Sequence, residues 1–354
     1  MAEEDYHDTG WPPQNTSVQP GEPLDPSPDQ ETHPISKLPP EILSEIFLNF
    51  LPAYPECPEH SGPLSPLLLC AICRKWRAVA MTTPKIWRAI WMTVTHSSVG
   101  LATQFELLQA WLSRSGSCPL SLDIRSYSWI HLLRESQLLQ MAVLHSARWE
   151  HIDLFLTFEN LHFLQCDLPL LRYLTFGLYA PSPSDTDPID LFDRAPRLTH
   201  VVLTSNFEKS VISLPWHQLT HLRTELLYLE ECVEILHEAV RLVHCDFGIC
   251  GSKDAISFTT FLVHPHITHL ILRLARGTSY RPGLSLLPLF ENLTTPALRS
   301  LRVYEPGITP RSLQAFFSRS HRSLQELHID KSFVPESTYH QAFPFVSKII
   351  LEEP

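Results

Sequence analysis

Residues 198–203 read LTHVVL, and residues 219–224 read LTHLRT. The phrase recurs down the chain as WEHIDL (149–154), LRYLTF (171–176), LVHCDF (242–247) and ITHLIL (267–272). It continues as LRSLRV (298–303), LQELHI (324–329) and VSKIIL (346–351). All but LTHLRT, which ends on Thr224, fit apolar-x-x-apolar-x-apolar. Successive starts lie 22, 27, 21, 23, 25, 31, 26 and 22 residues apart. A unit of that length built on alternating apolar residues predicts one short strand per unit, stacked in parallel, with a helix or irregular return on the outer side. Pro169, Pro196, Pro265 and Pro296 stand just before four of the phrases.

This pattern resembles a degenerate leucine-rich repeat and covers roughly residues 119–354. The Asn or Cys of the usual repeat is mostly missing, and Asn206 comes closest. The resemblance implies a parallel sheet whose concave face presents the third and fifth positions of each phrase. The third position is histidine in five of nine phrases: His151, His200, His221, His244 and His269. One reading is that histidine merely suits an exposed strand position. The other is that the concave face binds a client protein through His151, Tyr173, His200, His221, Arg223, His244, His269 and Arg302.

Upstream, ISKLPPEILSEIFLNFLP (35–52) places Ile42, Leu43, Ile46, Phe47, Phe50 and Leu51 at helical spacing. Pro39 and Pro40 suit the first turn and Pro52 ends it. AYPECPEHSGPLSP is a loop by its Pro, Gly and Ser content. A second helix is expected from Pro66 through LLLCAICRKWRAVAM, its apolar face formed by Leu69, Ile72, Cys73, Trp76, Val79 and Ala80. A short third element, TTPKIWRAIW, has Thr83 as expected N-cap and Trp87, Ile90 and Trp91 on one face.

LPPEILSEIF, CRKWR and PKIW, in that order, resemble the F-box, in the style of the large families of mushroom-forming fungi. The long Pro-rich insert at 53–66 departs from the family pattern. The resemblance implies docking on a Skp-type adaptor of a cullin-RING ubiquitin ligase through Leu38, Pro39, Ile42, Leu43, Ile46 and Phe47. Leu68, Trp76 and Trp87 would serve as a mixture of contacts and core. The expected architecture is therefore α/β: an acidic Pro-rich tail at 1–34, a small all-α F-box at 35–95, and a leucine-rich-repeat-like α/β solenoid at 96–354.

Cys57, His60, Cys70 and Cys73 form C-x-x-H and C-x-x-C pairs, the residue types of a structural zinc site. Against that reading, the second pair falls inside the expected second helix, where Cys73 would pack between Leu69 and Trp76 as a small hydrophobe. A redox pair would need a helix N-terminus to lower its thiol pKa.

The chain of 354 residues carries a net charge of −11. Eight acids and no Lys or Arg lie in residues 1–34, leaving 30 acids against 27 bases elsewhere. The tail is too polar and proline-rich to offset its ordering entropy, so it is expected to be disordered. The near-neutral body has no electrostatic footprint for nucleic acid. Eleven glycines and no phosphate-cradling motif argue against a nucleotide enzyme. No signal peptide or spanning segment is evident, so no membrane partner is expected, and a cytosolic or nuclear protein with reduced cysteines is. The resulting expectation is a non-enzymatic, cofactor-free substrate adaptor. The alternatives are a Skp-bound scaffold outside a ligase and a metal-dependent enzyme using the histidines.

Overall fold

The computed structural model describes residues 34–94, 98–127, 132–182, 187–252, 261–275, 285–304, 308–320 and 323–352. The acidic tail expected at 1–34 lies outside them, Pro34 excepted. The chain divides into two units, 1–39 and 40–354. In the first, Pro34–Lys37 forms a single 3-10 turn, closed by the Leu38 amide donating to the Ile35 carbonyl at 3.3 Å. Leu38 and Pro39, both expected to dock, belong to this unit.

The second unit opens with three helices: α1 (Pro40–Phe50), α2 (Pro66–Ile72) and α3 (Arg74–Met81). Strands β1 (Ala89–Thr93), β2 (Leu120–Arg125), β3 (Trp149–Leu156) and β4 (Tyr173–Leu178) begin the sheet. Next in the chain are β5 (Ile189–Asp190), β6 (His200–Leu203), β7 (Ile212–Ser213), β8 (His221–Tyr228) and β9 (His244–Gly251). The last are β10 (Leu262–Val263), β11 (His269–Leu274), β12 (Leu293–Thr294), β13 (Ser300–Tyr304), β14 (Glu326–Asp330) and β15 (Lys348–Glu352).

Eleven of these strands form one sheet in the order β1-β2-β3-β4-β6-β8-β9-β11-β13-β14-β15, which is chain order, and every described pairing is parallel. The two-residue strands pair apart from it, β5 with β7 and β10 with β12. All nine recurring phrases lie on the large sheet. Except for Trp149, which opens β3, their first apolar residue sits just before the strand (Leu171, Leu198, Leu219 and Leu242 are buried), and the next two face the core. Leu174 and Phe176, Val201 and Leu203, and Cys245 and Phe247 are such pairs, all buried. The alternate side chains face the other way, which we call the open face.

The sheet begins earlier than the phrases. TTPKIWRAIW is not a third helix but a 3-10 turn, Pro84–Trp87, followed by β1. Alternation along β1 sends Ile90 to the core and Trp91 to the open side, so they do not share a face. Thr83 does not cap; its hydroxyl donates to the Val79 carbonyl at 2.7 Å. The expected 95/96 boundary thus falls after a strand already paired with β2. The helices α4 (Ser98–Arg114) and α5 (Leu132–Val143) follow β1 and β2 in the chain. Trp111 on α4 meets Trp87 edge-on at 4.7 Å, and the Trp87 indole donates to the Ala80 carbonyl at 2.8 Å. Trp87 is therefore core.

The second expected helix is broken. Cys73 is extended (φ −156, ψ 169) and separates α2 from α3, its Sγ accepting the Trp76 amide at 3.4 Å. It is exposed rather than packed between Leu69 and Trp76; Cys70 is the buried member of the pair. Side-chain contacts hold both new helix ends: the Cys73 Sγ accepts at the start of α3, and Arg77 Nε donates to the Cys70 carbonyl of α2 at 2.7 Å. Ile72, assigned to the core face, is exposed as well.

The apolar residues of α1 also divide. Leu43, Phe47 and Leu51 are buried, with Phe47 4.9 Å from the half-buried Trp76 ring. Ile42, Ile46 and Phe50 are 49%, 39% and 43% exposed. The i, i+4, i+8 spacing of each set gives two adjacent stripes, one core and one open. Phe47→Ala should cost about 3–5 kcal/mol by leaving a core cavity. Ile46→Ala should cost less than about 1 kcal/mol, as a surface change. Urea denaturation of the two variants measures the difference, and equal losses would contradict the two-stripe arrangement.

Candidate functional site

The open face is built by register. Parallel pairing sets His151 against Tyr173, Tyr173 against His200, His200 against His221, and His221 and His269 against His244. Adjacent strands are about 4.8 Å apart. Planar side chains at one register position therefore stack. Centroid distances along the row are 4.4, 4.5, 4.0, 5.9 and 5.3 Å from His151 to His269. Tyr173 tilts by 36° from His200, and the other pairs are within 28° of parallel.

The residue before each of three histidines orients it. The hydroxyls of Thr199, Thr220 and Thr268 lie 2.9 Å from Nδ1 of His200, His221 and His269. The Thr220 hydroxyl also donates to the Thr199 carbonyl at 3.3 Å, and that of Thr268 to the Val243 carbonyl at 3.2 Å. A hydroxyl has one proton, so at these two sites it accepts from the imidazole. Burial pushes the pKa of His151, His200, His221 and His244 below the ordinary value, and neighbouring histidines add to this at His200, His221 and His244. His264 of the HPHITH stretch belongs elsewhere: it is buried, with Nε2 2.7 Å from the Leu236 carbonyl.

The next row along the open face is charged. Asp246 lies between Arg223 (3.5 Å) and Arg273 (2.7 Å). Arg302 pairs with Asp330 and Glu352, each at 2.9 Å. Arg223 and Arg302, expected to contact a client, are thus engaged within the chain. At the other end, Arg125 bridges Asp123 (2.8 Å) and Asp153 (2.9 Å). Burial, reinforced by Asp123, pushes Asp153 up to about 6.

The insert at 53–66 lies against this end of the face. The Tyr54 hydroxyl donates to Glu150 at 2.9 Å, its ring meets His151 edge-on at 5.3 Å, and Arg88 sits over it at 3.9 Å. The Ser121 hydroxyl donates to the Pro55 carbonyl at 2.7 Å. His60 stacks on Trp91 at 4.6 Å. Cys57 is pushed up to about 12 by burial, beside Ser121. The four residues of the zinc reading thus occupy separate surroundings: Cys57 at Ser121, His60 on Trp91, Cys70 in the helical core and Cys73 at the start of α3. Between the insert and β1–β6 lies a cavity of about 560 Å³.

The sequence placed His151, Tyr173, His200, His221, His244 and His269 correctly in one row. It missed Tyr54 and offered Cys57 and His60 only as zinc-ligand candidates, although aromatic and sulfur side chains in a proline-rich loop are a sign that the loop packs. It also missed Trp91 and Asp123, which lie on strands before the first phrase. Compared with known proteins, the chain matches no family model and no curated protein.

The lowered histidine pKa values link protonation to stability. Unfolded histidines titrate near 6.5, so as pH falls through that value the unfolded chain takes up protons that the folded row resists. Stability then declines. Asp153 acts oppositely, since its folded pKa is raised, but it is one group against four. The urea midpoint should be lower at pH 5.5 than at pH 7.5. Replacing His200, His221 and His244 together with Gln should leave the fold intact and shrink that difference. An undiminished difference in the triple variant would reject the assignment, and its unfolding would make the row structural.

Proposed function

We propose that the chain is the substrate-recognition adaptor of an SCF-type cullin-RING ubiquitin ligase. In this reading the F-box-like segment docks on the Skp-type adaptor, and the sheet, a leucine-rich-repeat-like solenoid, holds the client. The observation that carries it is the uncovered stripe Ile42, Ile46 and Phe50 on α1. It lies on the segment that resembles the F-box docking helix. Leu67, Leu68 and Ile72 on α2 are also exposed. Apolar side chains left together in water favour a partner that buries them.

Burial refines the docking set. Leu43 and Phe47 are fully enclosed by the chain itself, as is Trp87, so they shape the helix rather than meet a partner. Ile42, Ile46 and Leu68 are the available contacts, with Leu38 and Pro39 preceding them. The open face supplies a row of imidazoles, four of them held toward the neutral form, and a partly charged row. That is a surface suited to binding a polypeptide rather than to bond-breaking chemistry. Ubiquitin transfer would belong to the other subunits.

Pull-down with a purified Skp-type adaptor tests the docking step. The wild-type chain should bind. The Ile42→Ala/Ile46→Ala variant should lose at least tenfold in affinity, about 1.4 kcal/mol, while keeping its urea midpoint to within a small shift. Full retention of binding by the double variant would sink the docking proposal.

A further inference from the structure

The cavity under the insert differs in charge from the rest of the open face. Its lining includes Glu56, Asp123 and Asp153 and no Lys or Arg. Elsewhere on the face, Asp246 has two arginines, Glu326 has Lys348, and Asp330 and Glu352 share Arg302. Asp123 and Asp153 share the single guanidinium of Arg125, which lies outside the lining. The two imidazoles in the lining, His151 and His200, are held toward the neutral form and do not offset the acids.

The walls are aromatic. Trp91 is fixed on one side by His60, and Tyr173 is fixed on the other between His151 and His200. Both rings remain more than one-third exposed. An aromatic face attracts a cation, more strongly where water is partly excluded. Lysine and arginine also carry apolar stems that cover such walls while the charged head reaches a carboxylate. The volume, about 560 Å³, lies within the ~300–1,000 Å³ range of sites that enclose a small ligand. It suits one long side chain with its flanking backbone, not a folded domain.

We infer that this cavity is the specificity pocket of the open face and receives a lysine or arginine side chain from an extended segment of the partner protein. The inference rests on the reading of that face as a client surface. It does not depend on Skp docking. The ammonium or guanidinium meets Asp123 and Asp153 at the floor, and the stem lies along Trp91 and Tyr173. Glu56 on the insert adds a third negative charge at the rim. The insert therefore has a binding role: without Pro55, Glu56 and Cys57 the cavity lacks one side.

The test uses the full chain alone, with fluorescent nine-residue peptide libraries whose central residue is Lys, Arg, Leu or Glu and whose other positions are degenerate. Fluorescence polarisation should show at least tenfold tighter binding of the Lys and Arg pools than of the Leu and Glu pools. Asp123→Asn/Asp153→Asn should abolish that preference. Because this pair also anchors Arg125, Thr175→Lys serves as the second variant; it keeps both acids and fills the cavity with the chain's own cation, and it should abolish the preference too. Glu326→Gln, remote on the sheet, should keep it. Equal binding of the four pools, a preference for Glu or Leu, binding of free spermidine without any peptide preference, or full preference in a folded Thr175→Lys chain would each overturn the inference. Skp binding is absent from this assay, so a failure here leaves the docking step standing, and the reverse holds as well.

Discussion

Parallel pairing in chain order is the constraint on which the other features depend. Each strand of the large sheet takes its neighbour from the preceding unit, so a given position in one phrase lies beside the same position in the next. A residue type repeated every 21–31 residues in sequence becomes a row at the strand spacing in space. The core rows bury Leu, Val, Ile and Phe. The open rows hold the imidazoles and the charges. The same register explains the threonine brace: the hydroxyls of Thr220 and Thr268 each meet the carbonyl of the previous unit and the imidazole of their own.

That regularity is why the sheet could be read from the sequence while its beginning could not. LTHVVL and LTHLRT announce strands because their apolar positions alternate and their spacing recurs. PLSLDIRS (119–126) alternates in the same way, with Leu120, Leu122 and Ile124 apolar. KIWRAIW does not read as a strand, because Trp87, Ile90 and Trp91 also fit a helical face, and only pairing with β2 decides between the two periods. The break at Cys73 was hidden for a related reason. CAICRKWRAVAM carries no proline or glycine, and local propensity gives no cause to stop. The break shows only in side-chain contacts, with the Cys73 Sγ taking the Trp76 amide and Arg77 taking the Cys70 carbonyl.

The histidine row shows how far residue identity alone goes. Sequence alignment of the phrases brings His151, His200, His221, His244 and His269 to one column without any coordinates. It cannot show that the rings lie face to face, or that Tyr54 from a distant loop closes the end of the row. Nor can it separate the charges that are satisfied from those that are not. Arg223 and Arg302 look available in sequence, yet cations and acids one or two strands apart find each other through the register.

The insert joins the two parts of the molecule that the proposed function needs. It starts where α1 ends and finishes at the first turn of α2, so its conformation bears on both helices. Between those points it is tied to the sheet by the Tyr54–Glu150 and Ser121–Pro55 hydrogen bonds and the His60–Trp91 stack. A loop held only at its ends would let the helices move relative to the sheet at little cost. One tied at three further points, with Ser65 capping α2 through the Leu67 amide, moves only if those ties break together. An adaptor that must present a client at a set position relative to its docking helix gains from such a coupling. The lengthened loop, which looks like a departure from the F-box pattern, is then the element that fixes the open stripe of α1 to the acidic cavity.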